Sequence, residues 1–212
     1  MEGSPLPDAA AVKTSRKSAG LGSALLASFC WLSAVACAPE SQTAGGSVMY
    51  QEVMASTDPA RAGRLVPGSA EEKAAIARFS DFLCSLTPAG VQDKTRQVYA
   101  EDAYLNDTLK EVRGVAAIEA YFLKTAQAAT RITVEVLDVA ESGGNYYFRW
   151  TMEIVHPKLA DGRPSASIGM SHVRFDAQGK VVLHQDYWDS GSAFYAHLPV
   201  LGWLINWVKG RL

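Results

Sequence analysis

Hydrophobic positions recur at helical spacing between Ala70 and Leu86, where Ile76, Phe79, Phe82, Leu83 and Leu86 form one stripe. Ser69 precedes this run as an N-cap, and Glu71 and Glu72 put acids in its first turn, where the helix dipole favours them. Thr87-Pro88-Ala89-Gly90 breaks the pattern. A second short helix is expected from about Val91 to Tyr99, ending in Ala100-Glu101-Asp102-Ala103, with a brief extended piece from Tyr104 to Asp107. A third follows Gly114, with Val115, Ile118, Tyr121, Phe122 and Thr125 on one face. From Arg131 the period changes to two. Ile132 to Val136 is a strand, Gly143-Gly144-Asn145 a hairpin turn, and Tyr146, Phe148, Trp150, Met152 and Ile154 share one apolar face. Asp161-Gly162 marks another turn, before strands at about Ser167–Phe175 and Val181–Asp189 joined through Asp176-Ala177-Gln178-Gly179-Lys180. The chain after Gly191 is helix or loop, with Trp203, Ile205 and Trp207 in its last stretch.

Helices first and antiparallel strands afterwards give an α+β class, not a wound α/β fold. Ahead of that domain, residues 19–36 are uncharged and apolar and follow Lys13, Arg16 and Lys17, as in a secretory leader. Ala34-Val35-Ala36-Cys37 resembles a bacterial lipobox, which would make Cys37 the lipid attachment; Ala34 stands where Leu is usual. Ordinary cleavage at Ala36-Cys37-Ala38 and an uncleaved anchor helix are the alternatives. Each puts the domain outside the cytoplasm, in the periplasm, with the lipid-anchored form favoured. Residues 38–69 are rich in Ala, Gly, Ser, Thr and Pro and read as a flexible tether between a leader at 1–37 and a domain at 70–212.

The net charge of −2 and the lack of a Lys/Arg stripe argue against nucleic acid. Three cysteines, two of them in the leader, exclude a disulfide framework and a cysteine-based zinc site; Cys84 is expected as a small core residue. No phosphate loop, nucleophile elbow or H-E-x-x-H motif is present, and no cofactor is implied.

The run from Val98 to Asp107, then Arg113-Gly114-Val115-Ala116-Ala117-Ile118, resembles the nuclear-transport-factor-2-like superfamily, with its ketosteroid isomerases and SnoaL-like cyclases. His172 to Val181 fits the same pattern, and His184-Gln185-Asp186-Tyr187-Trp188-Asp189 with Leu198-Pro199-Val200-Leu201-Gly202 is similar to a bacterial SnoaL-like subgroup. The resemblance covers about residues 70–212 and implies a cone: a curved, mostly antiparallel sheet closed by three helices around an apolar pocket. It also implies self-association as a homodimer through the convex sheet face. Asp107 falls where ketosteroid isomerases carry their proton-shuttling aspartate. The family's two oxyanion donors map to Leu83 and Ser171, so isomerisation by the familiar route is not expected.

On the last strand Val182, His184, Asp186 and Trp188 share one face, which the family register turns inward; a one-residue slip would bring in Gln185, Tyr187 and Asp189 instead. Facing inward, His184 is a candidate acid or base oriented by Asp186, with Asp107 across the cavity. Trp188, Trp150, Phe148, Met152, Ser171 and Tyr104 are the candidate pocket lining. Structural readings stand beside these. His184 and Asp186 could satisfy each other, Asp107 could cap a turn, and Phe148 and Trp150 could be plain sheet core. His172 should lie on the convex face, and the four scattered histidines make no metal spacing. The tail from Phe194 is expected to close the cone mouth, with a membrane contact through Trp203, Trp207 and the basic end as the alternative. Three functions fit: a pocket for a small apolar or amphipathic molecule; an isomerase-, cyclase- or dehydratase-like enzyme; and a scaffold acting through its sheet.

Overall fold

A hydroxyl N-cap opens each of the two helices that begin the cone, in a computed structural model that describes residues 47–212. Helix α3 (Ala70–Leu83) starts at Ser69, whose Oγ accepts from the Glu72 amide at 3.1 Å, and α4 (Pro88–Val98) starts at Thr87 with Pro in its first turn. Ahead of them lie α1 (Val48–Ser56) and α2 (Pro59–Ala62). After α4 come strands β1 (Tyr99–Asn106) and β2 (Glu111–Arg113), then helix α5 (Val115–Ala128). Strands β3 (Arg131–Ser142), β4 (Asn145–Val155), β5 (Ser165–Phe175) and β6 (Val181–Trp188) follow, and two short helices, α6 (Ser190–Ala193) and α7 (Leu201–Lys209), close the chain.

The six strands form one curved, unclosed sheet in the order β2-β1-β6-β5-β4-β3, antiparallel except for the β1–β6 pair. Gly143 and Gly144, with φ of 60° and 85°, make the two-residue turn between β3 and β4, where both central residues need positive φ. A register shift between Val136 and Asp138 bends β3. Helices α3, α4 and α5 supply the other wall. Phe79 meets Phe148 edge-to-face at 4.7 Å, and Phe82 meets Tyr99 at 5.5 Å and Phe122 at 5.3 Å, so the core joins helices to the inner sheet face through aromatic rings. The α+β cone with three closing helices is therefore the fold.

Three expectations change. β1 begins at Tyr99, earlier than the short piece at Tyr104, because it pairs in parallel with β6, a partner too distant in sequence to leave a local pattern. Cys84, expected in the core, is the exposed C-cap of α3, one step past the buried stripe. Part of the expected tether is structured: α1 packs Val53 with Tyr104 and Leu183 on the outer sheet face, and Leu65 enters the main core. Its apolar residues Met49, Tyr50, Val53 and Met54 gather on one side of a helix capped by Ser47, enough to offset ordering. The leader at 1–37, Cys37 within it, and residues 38–46 of the tether lie outside the described residues. Among the described residues no helix is long and apolar enough to cross a membrane.

Candidate functional site

Strand alternation sets the site. On β6, His184 is buried to 1% exposure, while Asp186 and Trp188 line an internal cavity of about 540 Å³; Val182 packs against the same core. The intervening residues face the other way: Leu183 joins the outer cluster and the Tyr187 hydroxyl meets that of Tyr50. Cross-strand neighbours repeat this in rows. Phe148, Ser171 and Asp186 stand side by side across β4, β5 and β6, and one step along stand Trp150, Gly169 and Trp188.

These rows create a closed polar chain inside an apolar wall. The Trp150 indole, a donor only, gives its N–H to Ser171 Oγ at 2.9 Å, so the serine hydroxyl turns its proton to Asp186 Oδ1 at 2.5 Å. His184 Nε2 lies 2.8 Å from the same Oδ1, and Nδ1 lies 2.7 Å from the Tyr99 hydroxyl. Burial, and then the charge of Asp186, holds the Tyr99 phenol well above its usual range, so it stays protonated. The consistent pattern is Tyr99 O–H donating to Nδ1 and Nε2–H donating to Asp186. His184 thus has both ring nitrogens engaged and does not line the cavity. Asp186, with 14% of its side chain exposed, presents its second oxygen, which receives no hydrogen bond among the described residues.

Asp107 sits at the end of β1, also on the cavity wall. Its Oδ1 accepts from the amides of Leu109 at 3.0 Å and Lys110 at 2.9 Å, and its other oxygen accepts the Tyr121 hydroxyl. It is a turn cap and a cavity group at once. Burial raises its carboxyl above the usual range, the Tyr121 hydrogen bond and the two amides oppose this, and the charge of Asp186 adds to the rise. The Trp188 indole donates to the Asp107 carbonyl at 2.6 Å, tying the end of β6 to this turn.

Of the candidate lining, Trp188, Trp150 and Met152 face the cavity. Ser171 sits behind Asp186 as its donor. Phe148 is core, because its row neighbour is Ser171 and α3 covers it through Phe79. Tyr104 belongs to the outer face, paired with Leu183 and covered by α1, and its hydroxyl donates to Glu111 at 2.7 Å. Leu83 lies in the core and offers no donor. His172 faces outward, bonded to Asn145 at 2.8 Å; burial, then Arg174 and His184, pushes its imidazole down to about 4. The tail divides. Ala193, Phe194 and Leu198 reach the cavity, but α7 does not cap it, and Trp203 and Trp207 are 68% and 44% exposed. Gly202 explains this, since it packs directly on the Ala196 carbonyl and seats α7 against the preceding turn. Among the described residues no group of three or more His, Cys, Asp or Glu is placed to hold a metal.

Tyr99, Tyr121 and Gly169 belong to the site but do not stand out in the sequence. Only Gly169 carries a signal, as a glycine inside a strand where another group comes close.

The sequence profile of the SnoaL-like domain matches residues 83–184. A steroid Delta-isomerase from Nocardioides simplex is 32% identical over 127 residues, which cover 58% of this chain and 94% of that protein. Among solved structures, an LEH-like epoxide hydrolase from M. tuberculosis superposes with a TM-score of 0.50 at 18% identity, covering 64% of this chain and 98% of its own. An NTF2-like protein of unknown function from Exiguobacterium sp. 255-15 gives a TM-score of 0.47 at 20% identity, covering 54% of this chain and 98% of its own. The likeness to the epoxide hydrolase concerns the fold alone.

Proposed function

We propose, from the premise that this chain belongs to the SnoaL-like, ketosteroid-isomerase-like domain family, that its cone binds a small molecule with an apolar body and a polar group turned toward Asp186. One observation carries this reading: a cavity of about 540 Å³, walled by Trp150, Met152, Ile132 and Phe122, in which Asp186 keeps one oxygen without a partner among the described residues. That volume falls in the usual range for small-molecule sites. Two indoles on the wall supply a reporter. Titration with a neutral steroid enone should quench tryptophan emission saturably, and at a hundredfold excess over Kd it should stabilise the fold by about 2.7 kcal/mol. Emission and melting that respond neither to the enone nor to straight-chain amphiphiles would remove the reading.

A second reading, acid–base catalysis as in an isomerase, cyclase or dehydratase, is favoured by the likeness to the Nocardioides simplex steroid Delta-isomerase and by the two cavity carboxylates. Asp186 is then the group that meets the substrate, and His184, held in turn by Tyr99, positions it. Asp107 already accepts three hydrogen bonds on its two oxygens, which leaves it less open to a substrate than Asp186. Conversion of a β,γ-unsaturated steroid ketone to its conjugated isomer, followed by ultraviolet absorbance, separates catalysis from binding alone.

The same proposal puts the domain outside the cytoplasm, held to a membrane through Cys37, on the strength of the basic and apolar order of residues 13–36. Protein extracted from membranes should then have the intact mass of a lipid-modified chain starting at Cys37. An unmodified mass, or one retaining residues 1–36, overturns the lipid tether.

A further inference from the structure

Three lysines from separate parts of the chain converge on the cavity rim: Lys110 in the β1–β2 turn, Lys124 on α5, and Lys158 after β4. All three are exposed, and none forms an ion pair among the described residues. The Lys110 ammonium lies 5.5 Å from the centre of the Tyr121 ring, itself part of the cavity wall. His156 adds an imidazole to the rim, with Nδ1 taken by the Lys158 amide at 3.0 Å. Neither carboxylate of the cavity forms an ion pair with these lysines. Asp107 is bound by Tyr121 and two backbone amides, and Asp186 by His184 and Ser171. Below the rim the wall is apolar, formed by Leu86, Phe122, Ile132, Met152 and Ile154.

From this arrangement we infer that the ligand is an anionic amphiphile, an apolar tail or ring system carrying a carboxylate, sulfate or phosphate that rests among Lys110, Lys124 and Lys158. The inference rests on the binding reading above and narrows its ligand class. Lysine suits such a rim, because its ammonium is a mobile, strongly hydrated point charge that follows an anion at a wet edge and needs no planar fork. The apolar body enters the cavity and the charge stays at the solvent edge, so neither end is desolvated without compensation.

The test compares dodecanoate with dodecan-1-ol, equal in chain length and different in charge, by tryptophan quenching on the intact protein. Dodecanoate should bind about tenfold more tightly, and the advantage should shrink as salt is raised. In Lys110→Gln/Lys124→Gln/Lys158→Gln the two affinities should converge by loss on the acid side alone. Because Lys110 adjoins the Asp107 turn, Lys124→Gln/Lys158→Gln serves as a second variant and should lose most of the same preference. Equal affinities for acid and alcohol in the parent protein, or an unchanged preference in both variants, overturn the anionic assignment while leaving the pocket reading in place. Failure of both amphiphiles and the neutral steroid to bind is the separate outcome that removes the pocket reading itself.

Discussion

Asp186→Ala is expected to lower unfolding stability by about 1–3 kcal/mol and to abolish any turnover of an enone-forming substrate. The expectation follows from how many donors converge on one oxygen. Asp186 Oδ1 is the acceptor for both the Ser171 hydroxyl and His184 Nε2, and those two donors are buried. Alanine leaves them facing an apolar wall, and Trp150, which donates to Ser171, loses the anchor of its own partner. Asp186→Asn distinguishes structure from chemistry. Its amide oxygen can take the same two hydrogen bonds, so urea unfolding should stay near that of the parent while the charge on the cavity side disappears. Stability in the alanine variant equal to that of the parent would mean that the network is not formed as described.

The second large effect concerns a residue with no side chain. A Cβ at Gly169 would stand 2.4 Å from the Trp150 ring and 2.8 Å from Trp188 Cβ, far inside contact distance, so Gly169→Ala already forces the two indoles apart. Moving the Trp150 ring breaks its bond to Ser171 and pushes aromatic volume into the cavity. Overpacking of this kind costs about 1–3 kcal/mol. Ligand affinity should fall at least tenfold, because the wall itself shifts. Thermal unfolding and the tryptophan titration, run on the same variant, measure the two consequences. An alanine variant with unchanged melting and unchanged binding would contradict the close seating of both indoles.

How far the chain discloses itself follows the range of each interaction. The stripe through Phe79, Phe82 and Leu83, the Gly143-Gly144 turn and the inward face of β6 depend on neighbours within a few residues, so their periods are visible in one sequence. The β6 alternation leaves two registers, and the family resemblance, with Trp188 suited to a cavity wall, favours the one that turns His184 and Asp186 inward, as the structure has them. Tyr99 is different: it reaches His184 across 85 positions, and only the parallel β1–β6 pairing brings them together. Tyr104 departs from its expected place for the same cause, since the face it occupies is fixed by its pairing with Leu183. Composition misleads at residues 47–69, where small and polar residues outnumber the few apolar ones that dock. The division of labour between His184 and Asp186 is likewise out of reach. Alternation puts both on one side of a strand, but only the depth of each from the cavity determines which meets a ligand.

Helix α1 gives the outer side of the sheet a particular fate. Its backbone carbonyl at Met54 and the hydroxyl of Thr57 both accept from the Arg174 guanidinium, at 2.8 and 3.1 Å, and Val53 seals Tyr104 and Leu183 beneath it. Residues 48–57 thus cover part of the outer face of the sheet with the chain's own side chains and backbone. Two copies meeting back to back would find the β1–β6 half already upholstered and would be confined to the β3–β4 half, unless α1 were first peeled away, leaving Arg174 with Asn145 in place of three acceptors.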